Sequence, residues 1–217
     1  AGCSTLPRNA PPPELMNETS IPAMPDIRAP AGRQSAAVMA DLRLSFEQES
    51  AADFPLRDDG VVRYPQLALS GGGANGAFGA GFLNGWTQTG RRPVFKIVTG
   101  VSTGALIAPF AFVGPEYDGA LREFYTTTAS RQIFRVLSIL PQLLTGESFA
   151  ETGPLMSLLE RHVDAALMRR VAAAHSAGRR LYIGTANLDA QQFVVWNMGL
   201  IAASGRPESA RLFRQVM

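Results

Sequence analysis

The chain has 217 residues, of which 46% are hydrophobic and 18% are charged, and its formal net charge is +2. This composition excludes a disordered tail protein, which needs low hydrophobicity and high net charge, and the small net charge gives no support for nucleic-acid binding. The single cysteine, Cys3, excludes an intramolecular disulfide framework. The longest apolar run, around Ala105 to Val113, is too short to cross a membrane. Lys96 is the only lysine, which we interpret as a compositional bias rather than a site.

The N-terminal segment, residues 1–35, is predicted to be a solvated linker. It contains the run Ala-Pro-Pro-Pro at 10–13 and further prolines toward its end, and proline removes a backbone donor and restricts the residue before it. The first residues, Ala-Gly-Cys-Ser, resemble the end of a bacterial lipoprotein signal, in which the cysteine becomes the lipidated first residue of the mature protein. We therefore expect Cys3 to anchor the chain to a membrane of the bacterial cell envelope. The alternative is an ordinary cysteine near a chain boundary.

Patterns typical of strands and helices then alternate along the chain. An amphipathic helix is predicted over 36–58, because Val38, Leu42 and Phe46 recur every four residues. The further elements are predicted as a strand at 66–70, a helix through Trp86, a strand at 94–99, an apolar helix to about Val113, helices at 116–126 and 155–177, strands at 181–187 and 193–197 with a tight polar connection, and a helix after Pro207. The alternation predicts a three-layer α/β/α sandwich on a mainly parallel sheet. In this division, 36–65 is a helical extension and 66–217 is the main domain.

The segment Gly100-Val101-Ser102-Thr103-Gly104 lies where a predicted strand turns into the apolar helix. A nucleophilic serine needs such a turn, because strained backbone dihedrals project its hydroxyl from the edge of the sheet. The residues two before and two after the serine approach each other closely, and Gly100 and Gly104 occupy both positions. The positive end of the following helix would stabilise a developing oxyanion. The pattern therefore favours Ser102 as a nucleophile, and the alternative is a glycine turn without chemistry.

The preceding predicted strand runs into a glycine-rich loop of six residues, Gly71, Gly72, Gly73, Ala74, Asn75 and Gly76. Its unobstructed backbone N–H groups could bind a phosphate or the oxyanion of an acyl-transfer reaction. The spacing also fits the dinucleotide fingerprint, but the next strand ends without the acidic residue that would hold a ribose. Because neighbouring parallel strands end at the same edge of a sheet, we expect the loop to lie beside Ser102 as an oxyanion hole.

A Ser-His-Asp triad would require a histidine, and the chain has two. His162 lies within a helix of mixed character, and His175 lies at a helix end shortly before Gly178, where the helix dipole favours it. Both are interpreted as structural residues. A carboxylate that acts directly as the base is the remaining option, unless a triad histidine lies beyond the end of the chain.

The pair of motifs Ser-Gly-Gly-Gly-Ala-Asn-Gly-Ala at 70–77 and Gly-Val-Ser-Thr-Gly-Ala at 100–105 resembles the patatin-like phospholipase family. The segments 185–189 and 195–199 are also similar to strands of that family, so that the resemblance extends from about residue 66 to the end. It implies a Ser-Asp dyad with Ser102 as the nucleophile and the glycine-rich loop as the oxyanion hole. It further implies hydrolysis of fatty-acyl esters of membrane lipids, with no metal, cofactor or catalytic histidine.

The sequence departs from this family at the dyad aspartate. The family's Asp-Gly-Gly or Asp-Gly-Ala motif follows the matched region, so we expect the aspartate and the rest of the sheet to lie beyond Met217, and the 217 residues alone to be inactive. Asp118-Gly119-Ala120 has the tripeptide, but a helix would carry it about 18 Å from the serine, and we interpret Asp118 as a helix-start residue. Asp189, a second internal candidate, is interpreted as a turn residue.

Two classes of function follow from these motifs. The first is a lipid acyl hydrolase of phospholipase A or lysophospholipase type, acting at a membrane surface. The second is a non-catalytic module of the same fold that binds an acyl chain or an anion, and a nucleotide-binding α/β domain is a poorer third. A fluorophosphonate probe separates the first two, because it labels only an activated serine.

Overall fold

The computed structural model describes residues 20–126, 153–188 and 190–217, together with Pro12 and Leu15. Cys3 and Asp189, both singled out from the sequence, lie outside the described residues. Lipidation of Cys3 and the turn role of Asp189 therefore stay predictions. Within the described ranges, no helix has the length and apolar character needed to span a bilayer.

One sheet of five strands lies at the centre of the described structure. In chain order the strands are β1 (Arg28–Pro30), β2 (Gln66–Leu69), β3 (Ile97–Val101), β4 (Arg180–Asn187) and β5 (Gln192–Asn197). Their spatial order is β1-β5-β4-β3-β2. Strands β2 and β4 both pair with β3 in parallel, whereas β5 pairs antiparallel with β4 and with β1.

The predicted α/β architecture is confirmed, but the sheet is mixed rather than mainly parallel. The short connection between β4 and β5 explains part of the difference, because a few residues can join only antiparallel neighbours. The first strand adds the other antiparallel pair at the edge. The strand predicted at 94–99 begins later, at Ile97, which pairs with Gln66 of β2. The residue before Gln66 is Pro65, and it has no N–H with which to extend the pairing of the two strands.

Helices cover both faces of the sheet. They are α1 (Ala36–Glu47), α2 (Gly76–Gln88), α3 (Thr103–Val113), α4 (Asp118–Thr126), α5 (Gly153–His162), α6 (Ala165–Ser176), α7 (Met198–Ala203) and α8 (Ser209–Val216). The main core lies on the face to which Leu181 and Ile183 point, where both are packed with α3 and α6. Because side chains alternate along a strand, Arg180 and Tyr182 point to the opposite face, where Asp41 of α1 meets both.

The helix predicted over 36–58 ends at Glu47. The chain then turns at Ser50, whose carbonyl oxygen accepts a hydrogen bond from the backbone N–H of Phe54. The side chain of Phe54 is buried, so the residues after α1 form a packed loop instead of further helical turns.

Helix α1 does not bury the apolar face that its spacing predicted. Phe46 is exposed, whereas the residues of α1 that are buried are Asp41 and Ser45. The reason lies in the surface against which α1 packs. There the guanidinium of Arg180 and the ammonium of Lys96 are both fully buried and require hydrogen-bond acceptors, which α1 supplies.

The predicted helix over 155–177 is two helices. The first, α5, ends at His162, and Asp164 then caps α6 by accepting a hydrogen bond from the N–H of Leu167 at 2.8 Å. An aspartate in this position satisfies an N–H group that has no partner within the helix. A short helix, α7, follows β5 directly and was not expected from the sequence.

Residues 21–31 pack against the sheet, although the sequence predicted a solvated linker there. Strand β1 pairs with β5, and the side chains of Met24 and Ile27 are buried. The guanidinium of Arg28 lies over the ring of Trp196 at 5.5 Å. This part of the N-terminal segment therefore belongs to the folded domain, because its apolar residues find a partner surface that is distant in sequence.

Lys96 joins the N-terminal extension to the main domain. Its ammonium nitrogen donates to Glu49 at 2.7 Å and lies 4.7, 5.2 and 5.5 Å from the ring centroids of Phe46, Phe54 and Tyr64. Burial alone would raise the pKa of Glu49, but hydrogen bonds from Lys96 and Tyr64 outweigh it and lower that pKa. The single lysine is thus a buried contact between the two regions.

Candidate active site

The turn from β3 into α3 holds Ser102 in an unusual backbone conformation. Its φ is 52° and its ψ is −125°, a region that residues with a side chain rarely occupy. The residue is exposed, and within the described part of the chain its hydroxyl makes no hydrogen bond. The hydroxyl is therefore presented to solvent at the end of the strand, as a strand–turn–helix nucleophile requires.

Two glycines make this turn possible. A Cβ on Gly100 would lie 2.5 Å from the carbonyl oxygen of Gly104, and a Cβ on Gly104 would lie 2.2 Å from the carbonyl oxygen of Leu69. The second contact involves the neighbouring strand, β2. The glycines thus allow α3 to approach the ends of both β3 and β2. The sequence pattern predicted only the close approach of Gly100 and Gly104 within the turn.

The glycine-rich loop lies directly beside the serine. Strands β2 and β3 are parallel neighbours, with Leu69 opposite Gly100, so both strands end at one edge of the sheet. A Cβ on Gly71 would lie 3.0 Å from the Cβ of Ser102. The expected proximity of the loop and Ser102 is therefore observed.

The loop continues as a 3-10 turn over Gly73–Asn75 that leads into α2. Gly73 has a φ of +53°, which favours glycine. The N–H of Asn75 donates to the carbonyl oxygen of Gly72 at 3.0 Å. Among the described residues, the backbone N–H groups of Gly71, Gly72, Gly73 and Ala74 donate to no other group, so the loop has free donors, Gly72 and Gly73 among them, for an oxyanion.

Side chains next to the serine hold the loop in place. The hydroxyl of Thr103 donates to the carbonyl oxygen of Gly73 at 3.1 Å. A Cβ on Gly76 would lie 2.0 Å from the methyl carbon of Thr103 and 2.9 Å from the hydroxyl oxygen of Tyr125. The start of α2 is therefore packed tightly against the start of α3, which fixes the loop relative to Ser102.

The family profile described as Patatin-like phospholipase matches residues 67–212, which is more than half of the chain and includes both the loop and the serine turn. The chain belongs to the patatin-like phospholipase family. No curated protein and no solved structure is significantly similar to it. Patatin-like phospholipases are hydrolases that act on lipid esters, and membership of the family supports this general class of activity.

Asp118 lies far from the serine of this patatin-like domain. It begins α4, and its carboxylate accepts from Arg92 at 2.7 Å, while the other amino group of Arg92 donates to the carbonyl oxygen of Ala111. Ala111 is in the last turn of α3, whereas Ser102 precedes the first, so roughly 13 Å of helix separates them. The carboxylate of Asp118 is thus part of an ion pair at the other end of α3.

His162 is packed among aromatic rings. Its ring centroid lies 6.5 Å from that of Phe110 and 6.2 Å from that of Phe124. Burial lowers the pKa of His162, although the charge of Glu123, 4.0 Å away, opposes the shift. The imidazole is therefore part of a cluster of aromatic side chains.

His175 lies near the start of β4, at the edge of the sheet opposite to the one that carries Ser102, and next to a buried carboxylate. Asp41 accepts hydrogen bonds from Arg180 at 2.8 Å, Tyr182 at 3.0 Å and Asn197 at 2.8 Å, and its second oxygen lies 3.8 Å from Nε2 of His175. Burial and the charge of Arg180 lower the pKa of His175 to about 4, against the opposing effect of Asp41. The structure brings neither histidine to Ser102.

The sequence analysis did not identify the residues that support the site. Thr103 directly follows Ser102 in the serine motif, so the sequence could have indicated that its side chain supports the site. Tyr125 is in α4, and no local pattern connects it to the loop. Its contact with Gly76 depends on how two helices pack, which periodicity does not specify.

Proposed function

We propose that the protein hydrolyses fatty-acyl esters of membrane lipids, in the manner of a phospholipase A or lysophospholipase, with Ser102 as the nucleophile. The observation that carries the proposal is the exposed hydroxyl of Ser102, held at a positive φ beside the glycine-rich loop. A hydroxyl in this position and backbone donors next to it are the two components that an acyl transfer needs.

The proposed reaction has two steps. The Ser102 oxygen attacks the ester carbonyl while a base removes its proton, and the N–H groups of Gly72 and Gly73 stabilise the oxyanion that forms. The carbon–oxygen bond to the alcohol breaks, the alcohol takes the proton from the base, and an acyl-serine remains. Water then attacks this ester by the same route, which releases the fatty acid and restores the hydroxyl.

We propose an aspartate as the base. Family membership supports this choice, and so does the position of both histidines away from the serine. Asp118 is unsuitable because its carboxylate pairs with Arg92. The base is therefore a carboxylate outside the described residues.

The test combines labelling with turnover. In a form of the protein that includes the proposed aspartate, a fluorophosphonate probe should label Ser102, and this form should release fatty acid from phospholipid or lysophospholipid. Ser102→Ala should abolish both while the far-UV circular dichroism stays the same, because the change removes one exposed hydroxyl. Turnover that persists in Ser102→Ala would overturn the assignment.

The alternative is a non-catalytic patatin-like module that binds lipid. It is favoured by one observation, namely that no described carboxylate or imidazole contacts the Ser102 hydroxyl. Lipid binding without labelling by the probe would support this alternative against the hydrolase.

A further inference from the structure

Helix α2 has an exposed face without charge. The helix contains no acidic or basic residue over its whole length, Gly76–Gln88. Its buried side includes Ala80 and Leu83, whereas its outer side is formed by apolar and small residues, namely Ala77, Phe78, Gly81, Phe82 and Gly85, with the uncharged Gln88 at its end. A surface helix normally has polar and charged residues on its outer face, so this helix is built for apolar surroundings on both sides.

Aromatic rings follow one another along this outer face. Phe78 is 79% exposed and Phe82 is 57% exposed, and their ring centroids are 6.4 Å apart. The ring of Phe82 lies 5.7 Å from that of Trp86, which is half-buried. Phe78 lies in the first turn of α2, two residues after Gly76, so the aromatic row begins at the glycine-rich loop.

A second apolar surface lies on the other side of the serine. Strand β3 ends at Val101, opposite Gly184, whereas the β4–β5 hairpin continues beyond that point. Leu188 at its tip is 50% exposed, and Phe193 is 45% exposed. The ring of Phe193 lies over Gly184, where a Cβ would be 2.1 Å from it. The edge of the sheet that carries Ser102 is thus flanked by exposed apolar groups on both sides.

The segments that form this edge are almost free of ionisable residues. No residue that is charged at neutral pH occurs in 66–90 or in 97–115, and Asp189 is the single one in 181–205. Removing a charged side chain from water costs free energy, so an edge with this composition can be desolvated at a low cost in free energy. Within the segments 66–90, 97–115 and 181–205 there is also no basic cluster that would attract anionic head groups.

We propose that the aromatic row of α2, together with the hairpin residues Leu188 and Phe193, is the surface by which the protein docks on a lipid bilayer. This proposal rests on the proposed function, because it assigns the face that meets the aggregated substrate. Aromatic side chains partition into the interfacial region of a bilayer, and the row is continuous with the loop beside Ser102. Docking depends on apolar contact, so it is independent of lipid charge.

The experiment measures binding in the Ser102→Ala background, so that no chemistry is required. The protein should float with vesicles of neutral phosphatidylcholine, and addition of phosphatidylglycerol or of salt should change the bound fraction little. Phe78→Ser with Phe82→Ser should reduce partitioning about a hundredfold, which is about tenfold for each inserted ring. Leu56→Ser is the matched control, because Leu56 is 69% exposed on the N-terminal extension, and it should bind like the parent.

Several results would overturn the docking surface. They are absence of binding to neutral vesicles, binding that salt removes, or an equal loss in the Leu56→Ser control. Gel filtration gives a further test, since loss of a dimer in the double variant with unchanged vesicle binding would assign the face to a second copy of the chain. Failure of the hydrolase proposal is read separately, from the absence of probe labelling at Ser102 in the parent protein.

Discussion

Ser102 retains a backbone conformation that costs about 1–3 kcal/mol, so its surroundings must hold it in place. Gly100 and Gly104 permit the close contacts on one side, and the Thr103 hydrogen bond to the loop adds a further restraint. The strained residue is also the residue proposed to react. Its conformation therefore directs the hydroxyl outward before any substrate binds.

Gly73 offers a test of the loop at the level of a single residue. Gly73→Ala places a side chain at a φ of +53° and should disturb the donors proposed to bind the ester oxygen. We expect turnover to fall by about 10², the cost of losing one oxyanion donor, and stability to fall by about 1 kcal/mol. Turnover per folded molecule and urea unfolding measure the two effects. Unchanged turnover with reduced stability would make the loop purely structural.

His175 should affect acid stability and not catalysis. Its pKa is lowered to about 4 in the folded protein, against about 6.5 in an unfolded chain. Between these values the unfolded chain binds more protons, so stability decreases as the pH falls from 6.5 to 4, by roughly 1–3 kcal/mol.

His175→Gln should remove that part of the pH dependence and leave turnover per folded molecule within a small factor of the parent. Urea unfolding at several pH values measures the first effect, and ester hydrolysis measures the second. Identical pH slopes in parent and variant would contradict the assignment of the slope to His175. A loss of several orders of magnitude in turnover, without unfolding, would restore a role for histidine in catalysis.

At the scale of elements, the close approach of α3 to β2 depends on Gly104. Gly104→Ala would place a Cβ 2.2 Å from the carbonyl oxygen of Leu69, and backbone cannot yield as a flexible side chain does. We expect a loss of about 3 kcal/mol. Gly85→Ala is the matched control, because a Cβ there meets no atom within 4 Å, and it should stabilise α2 by up to about 1 kcal/mol. Equal effects of the two substitutions in urea unfolding would refute this account.

The sequence predicted the elements around the serine well, because glycine, strand and helix signals there are local. The strand ending at Leu69 and the helix beginning at Thr103 lie where the motifs placed them. The features that were missed, the strand β1 and the buried face of α1, depend on partners far away in the chain. Strand β1 exists because β5 pairs with it, and α1 buries Asp41 because Arg180 lies opposite. Local periodicity has no information on either partner.

At the scale of the whole molecule, the N-terminal extension is held to the main domain by buried polar contacts. Asp41 meets Arg180, and Lys96 meets Glu49 and the carbonyl oxygen of Ser45. Removing one member of such a pair leaves the other without compensation. The extension should therefore detach before the sheet unfolds when these contacts are weakened.

Lys96→Met tests this arrangement. The substitution keeps an apolar side chain among the three aromatic rings but removes the ammonium group that Glu49 requires, and we expect a loss of about 3 kcal/mol. Limited proteolysis should then cut within residues 48–65. Arg91→Met removes the same charge from an exposed position and should have no such effect. If Lys96→Met resisted the protease as well as the Arg91→Met control does, the proposed role of Lys96 in holding the N-terminal extension to the main domain would be contradicted.

The pairing of β1 with β5 has a consequence for the order in which parts of the protein fold during synthesis. Residues Arg28 and Trp196 are partners in the ladder, yet they are separated by about 170 positions in the chain, a separation that slows folding. During synthesis the N-terminal strand leaves the ribosome long before its partner exists. It must stay unpaired until β5 emerges, while β2 and β3 can already associate. Closure of this edge is therefore a late event of folding, and a stalled ribosome would expose an incomplete sheet to chaperones.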